Sequence, residues 1–176
     1  MDAIYTLLDR NTWYKVFKNK GLLQRSALAL CWGSYTPEQV QLFLEIMQSC
    51  ELALEIEDKN QQKDPTYLIP GFLPDYPATA VTYTWEGASS PIYHFRFQHH
   101  FFHAALVQRF IVRCAKLAEG YDLLWRSGIL LKVEDTLARI QVYPEEGRID
   151  VLLRGTKPGE LIERLKNEIV EIQEVE

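Results

Sequence analysis

The clearest hydrophobic rhythm lies in residues 36–49, where Val40, Phe43, Leu44 and Met47 recur at the three- and four-residue steps of a helix buried along one side. Its start is marked as well. Thr36 suits the N-cap, Pro37 the first helical position, and Gln39, three residues after the cap, completes a capping box. The period then falls from 3.6 to 2, because "ELALEIE" (51–57) sets Leu52, Leu54 and Ile56 against Glu51, Glu55 and Glu57, as a strand with one wet side would. The polar run "DKNQQKD" (58–64) turns the chain back into a second strand at "TYLIP". Upstream, residues 3–17 place Ile4, Leu7, Leu8, Trp13 and Phe17 at near-helical spacing, and "KNKG" supplies a basic end with Gly21 suited to a left-handed stop. A short second helix is expected over 24–32. Three helices followed by a two-stranded ribbon predict a winged-helix module over residues 1–73.

The pattern changes at "LIPGFLPDYP", where Pro70, Pro74 and Pro77 stiffen the chain and mark a boundary. In the second part, residues 74–176, "VTYTW" and "IYHFRF" flank "EGASSP" and read as a hairpin, with Tyr93, Phe95 and Phe97 facing opposite to His94, Arg96 and Gln98. A helix follows over 103–119, then strands at 128–133, 137–143 and 148–154, the last two joined by "PEEG". The closing helix, 158–172, buries Leu161, Ile162, Leu165, Ile169 and Ile172. The fold class expected is therefore α+β: an N-terminal winged-helix module, then a sandwich-like unit with a mainly antiparallel sheet and helices on one face.

Composition narrows the class. The 176 residues, 47% hydrophobic and 24% charged, suffice for one well-packed domain or two small ones. No apolar run approaches the ~18 residues of a membrane span, and the acidic start "MDAIYTLLDR" is unlike a signal peptide. Cys31, Cys50 and Cys114 lack C-x-x-C spacing and sit in apolar stretches, so they read as buried thiols in a reducing compartment, and the cytoplasm is the expected location.

A net charge of −5 bears on partners. A winged helix invites a nucleic-acid reading, and a winged-helix regulator of that kind is the alternative function. Against it, Arg25 is the one basic residue between Gly21 and Asp58, facing Glu38, Glu45, Glu51, Glu55, Glu57 and Asp58. That balance would repel a polyanion, so no nucleic-acid partner is expected.

His99, His100 and His103 raise the question of metal, since His99 and His103 have the i, i+4 spacing of zinc hydrolases. The glutamate that should follow the first histidine is replaced by His100, and alternation through Phe97 leaves His99 at the end of a strand. Polar residues at a strand-to-helix junction account for the cluster, and neither metal nor cofactor is expected. There is no nucleophile elbow, phosphate loop or kinase signature, so the chain is read as a non-enzyme. The helix after the histidines has an apolar side of Leu106, Val107, Phe110, Ile111, Cys114 and Leu117, and a cationic side of Arg109, Arg113 and Lys116. That cationic side is either solvated or a surface for an acidic partner.

Several segments, in this order, resemble a known family: "YLIPGFLP" (67–74), "YHFRF" leading to "QRFIVR" (108–113), and "LLWRSGILL" (123–131). They look like the COR domain, the "C-terminal of Roc" region that follows the Ras-like GTPase domain of Roco proteins. The likeness is most specific at Arg109 and Arg113 and at Trp125, Arg126 and Gly128 of "WRSG". "AIYTLLD", "GLLQRSAL" and "MQSCELALEI" extend it to the winged-helix end of the first COR subdomain. The resemblance implies a non-catalytic module that packs against the GTPase domain, senses its nucleotide state and supports a homodimer that relays it to an effector. The GTPase domain and the leading helices of the first subdomain would lie upstream. On this reading Arg109, Arg113 and Lys116, with Trp125 and Arg126, form an intramolecular or partner-facing surface, the alternative being Trp125 in the core with Arg126 covering it. Family members carry a Pro-x-Gly turn before the arginine helix, where this chain has His103, Ala104 and Ala105, which implies an earlier helix start.

Overall fold

The computed structural model describes residues 21–56, 64–87, 92–98, 103–118, 123–156 and 158–173. The helix expected over 3–17 and most of the polar loop at 58–64 lie outside them. The chain divides after Pro74 into two compact units.

The first unit contains strand β1 (Leu22–Gln24), helix α1 (Arg25–Cys31), helix α2 (Pro37–Ser49), and strands β2 (Leu54–Ile56) and β3 (Thr66–Leu68). Helix α2 starts where its signals placed it. Gln39 N–H donates to Thr36 Oγ1 at 3.3 Å, and the Thr36 backbone N–H donates back to Gln39 Oε1 at 2.8 Å. Val40, Leu44 and Met47 are buried, and Phe43, partly buried, meets Trp32 and Tyr35 edge-on at 5.7 and 5.0 Å between ring centroids.

The ribbon differs from expectation in two ways. Its first strand is shorter than 51–57, because the Leu52 N–H donates to Met47 O at 2.8 Å and Glu51 adopts a positive φ of 55°, which ties both residues to the end of the helix. Leu52 and Ala53 are then both buried, so alternation begins only at Leu54. The sheet also has three strands, in the antiparallel order β1-β3-β2. Three residues of β1 are too few to show a period. What places them is a long-range bond from the Ile69 N–H to Gly21 O at 2.7 Å, with Gly21 at the positive φ (62°) expected of it. Leu23, Leu28, Leu44, Tyr67, Ile69 and Phe72 fill the core between helices and sheet.

The second unit contains helix α3 (Thr79–Glu86), strand β4 (Ile92–Gln98), helix α4 (Ala104–Ala115), strands β5 (Leu124–Trp125), β6 (Gly128–Val133), β7 (Thr136–Tyr143) and β8 (Arg148–Arg154), and helix α5 (Pro158–Gln173). The expected strand "VTYTW" is a helix. Val81 and Trp85 share a side whether the period is 2 or 3.6. Tyr83 separates the two cases, since a strand would bury it with them and here it is 73% exposed. There is accordingly no hairpin with "IYHFRF". Strand β4 pairs instead with the distant β8, from Ile92↔Arg154 to Gln98↔Arg148.

The sheet is antiparallel throughout, in the order β4-β8-β7-β6-β5. One face presents Ile129, Leu131, Ala138, Ile140, Val142, Ile149, Val151 and Leu153, all buried. Helices α4 and α5 cover it, with Leu106, Val107, Phe110, Ile169 and Ile172 against Val142 and Ile149. Each fully buried Leu or Ile stabilises this layer by about 1.5–3 kcal/mol. The opposite face is divided. Helix α3 covers one end, where Val81 and Trp85 pack with Trp125 and Leu130, and the end nearest β4 is polar.

Candidate functional site

The cationic side of α4 does not form one continuous surface. Arg113 is only 15% exposed, and its Nη1 is engaged by two carboxylates of α5, Glu171 at 2.5 Å and Glu168 at 3.3 Å. It joins the two helices covering the sheet. Arg109 is half-buried and Lys116, at the C-cap, is exposed. The helix opens at His103, whose Nδ1 accepts the Ala105 N–H at 3.3 Å, so the histidine acts as an N-cap. Burial, and then the charge of Glu168, push the Cys114 thiol well above its ordinary range. Cys50 departs from the expected buried thiol. It is exposed because it caps the C-terminus of α2 after the buried stripe has ended.

Trp125 and Arg126 lie elsewhere. Trp125 pairs with Gly128 across the β5–β6 turn, on the α3 face of the sheet and opposite to α4. Its side chain is completely buried, so it shapes the unit from within. Its Nε1–H donates to Gln141 Oε1 at 2.9 Å, and Gln141 Nε2 donates to Ser127 Oγ (2.9 Å), Ser127 O (3.1 Å) and Val142 O (3.0 Å). Gln141 therefore holds the whole "WRSG" corner from the neighbouring strand. Arg126 is 31% exposed and pairs with Asp75 at 2.7 Å. The five residues expected together are thus on two sides of the sheet, with Trp125 in the core.

A second polar constellation is not visible in the sequence because its members are far apart along the chain. Pairing of β4 with β8 brings His94, Arg96 and Arg148 around Asp150. Arg96 Nε meets Asp150 Oδ1 at 2.8 Å, His94 Nε2 the same oxygen at 3.5 Å, and Arg148 Nε reaches Oδ2 at 3.6 Å. Partial burial alone would raise the Asp150 pKa. The hydrogen bond from Arg96 and the charges of Arg148 and Arg96 outweigh it and hold the carboxyl below its ordinary value. The Arg148 guanidinium lies 4.1 Å from the centroid of the Tyr143 ring and bonds Glu146 at 3.1 Å. The same face carries Arg139 and Arg154, the latter 4.6 Å from the Trp85 ring centroid. Alternation of "YHFRF" is the available signal for part of this face, but only the register with β8 supplies Asp150 and Arg148.

Chemically, the arginine clusters among the described residues offer charged surface. A cavity of about 40 Å³, lined by Val133, Glu134, Thr136, Glu160, Leu161 and Arg164, is far below the size of a metabolite pocket. Among the described residues no group of three or more His, Cys, Asp or Glu side chains is placed to hold a metal ion. His99 and His100 lie outside them. No helix among the described residues is long and apolar enough to cross a membrane.

The described residues form an α+β chain of two small units with arginine clusters, and a fold alone does not name a family. Comparison with family models provides it: "C-terminal of Roc, COR-A domain" matches residues 1–73 and "C-terminal of Roc, COR-B domain" matches residues 90–175. The chain belongs to the COR domains of Roco proteins, which adjoin the Roc GTPase domain. No curated protein matches it.

Proposed function

We propose that this chain is a non-catalytic interaction and dimerisation module of a Roco-type protein in the cytoplasm. It packs against a Ras-like GTPase domain, in the same or a partner chain, and relays the nucleotide state to an effector. In this reading residues 1–73 are the winged-helix end of the first COR subdomain and residues 74–176 the second. The observation that supports it most is the end-to-end pair of COR-A and COR-B matches, which together account for nearly the whole chain. Arg109 and Lys116 on α4, and Arg126 on the other side of the sheet, are the partner-facing cations, while Arg113 and Trp125 hold the elements that present them.

Light scattering tests this reading. The chain is measured alone and with the Roc domain of its Roco protein, loaded in turn with GDP and a non-hydrolysable GTP analogue. A complex whose affinity or stoichiometry depends on the nucleotide, weakened by Arg109→Glu and Lys116→Glu together, is the expected outcome. Separate monomers in both nucleotide states would refute it.

A further inference from the structure

We propose that the outer edge of β4 is a docking site for an extended, acidic strand of a partner protein, which adds to the sheet beside Ile92–Gln98. Strand β4 is the end of the five-stranded sheet. It pairs along its full length with β8, and among the described residues no strand pairs with its other edge. It has no Gly or Pro, and Ile92 and Tyr93 are 52% and 44% exposed. An edge of this length is a template for strand addition unless its side chains forbid it.

The side chains select the partner. On the polar face His94 and Arg96 are about half exposed, at 48% and 51%, with Arg148 behind them and Arg139 and Arg154 further in. Two acids stand among these four arginines: Asp150, already engaged by Arg96, Arg148 and His94, and Glu146, engaged by Arg148. This face is cationic in a chain whose net charge is −5. On the opposite face β4 offers Phe95 and Phe97, half-buried and in register with Val151 and Ile149. A strand alternating acid and apolar residues would set its carboxylates beside His94 and Arg96 and its apolar side chains beside the phenylalanines. A second copy of β4 is the wrong occupant. Paired antiparallel about Phe95, it would place His94 opposite Arg96 of the copy twice over and offer neither a carboxylate.

The test uses the full chain and a fluorescent, end-blocked peptide of alternating Glu and Val matching β4 in length. A Lys–Val peptide and a Glu–Val peptide N-methylated at alternate residues serve as controls. Saturable anisotropy with the Glu–Val peptide is expected, together with slowed amide hydrogen exchange within residues 92–98. The Lys–Val peptide should not bind, and N-methylation should weaken binding about tenfold or more, since it removes the inter-strand bonds and keeps the charge. Arg96→Glu should weaken the Glu–Val peptide about tenfold and admit the Lys–Val peptide. Arg96→Gln, which leaves Asp150 a hydrogen-bonding neighbour, should fall between and covers the case in which the charge reversal disturbs folding. No binding up to about 1 mM, binding without protection of β4, or equal binding of the N-methylated peptide would each overturn the proposal.

Discussion

Replacing Gly128 by alanine is the sharpest test of how the "WRSG" corner is built. The β-carbon of an alanine at 128 would lie 2.2 Å from Trp125 Cζ2 and 2.4 Å from both Trp125 Cε2 and Ile140 O, against the ~3.5–4.0 Å of ordinary carbon contact. Neither neighbour can retreat. Trp125 is fully buried and tethered through Nε1 to Gln141, and Ile140 O belongs to β7, paired on both sides by β6 and β8. Two effects therefore oppose each other. At an unhindered site Gly→Ala stabilises by about 0.4–1 kcal/mol through the unfolded chain, and overpacking costs about 1–3 kcal/mol. With overlaps this deep, Gly128→Ala should destabilise by about 3 kcal/mol, lowering the midpoint of the second unit by roughly 15 °C. Urea and thermal unfolding followed by far-ultraviolet circular dichroism read this directly. In a Trp125→Leu background, where the ring is gone but Ile140 O remains, the same substitution should cost less by at least about 1 kcal/mol. A cost below about 0.5 kcal/mol, or strict additivity with Trp125→Leu, would show that the ring does not impose glycine at 128.

Other expectations can be checked with similar means. Gln141→Leu leaves the buried Trp125 Nε1–H without its acceptor and should destabilise by about 2 kcal/mol in the same unfolding assay. Iodoacetamide labelling read by peptide mass mapping should modify Cys50 readily and leave Cys114 protected until urea unfolds the second unit, because burial removes both access and thiolate. Burial, then the charge and hydrogen bond of Glu55, raise the Tyr67 pKa to about 12. With a folded pKa above the unfolded value, stability from this group is full below about pH 10 and is lost as pH rises through the folded value. Ultraviolet titration should accordingly show a late tyrosine transition that is missing in Tyr67→Phe.

Much of this architecture follows from short-range pattern. The capping box and buried stripe of α2, the strands after Gly128 and the apolar side of α5 are where the periodicity puts them, because each element is long enough to show its repeat and buries one side of it. Pattern is ambiguous at "VTYTW", since Val81 and Trp85 sit four apart and satisfy either period, and only the exposure of Tyr83 while both pack against Trp125 and Leu130 distinguishes helix from strand. It fails at β1 and β5, which are too short to carry a repeat and exist through their partners. For the surfaces, the sequence by itself determined which residues are cationic and that Arg109, Arg113 and Lys116 share one side of a helix. Tertiary structure decided their fates: Arg113 is taken by carboxylates 55 and 58 residues away, Trp125 is sealed under α3, and Arg96, with His94 beside it, is brought to Arg148 and to Asp150, an acid 54 residues away. The reason is physical. Helix and strand formation are governed by neighbours a few residues apart, whereas the company a charged side chain keeps depends on which strands pair and which face each helix covers.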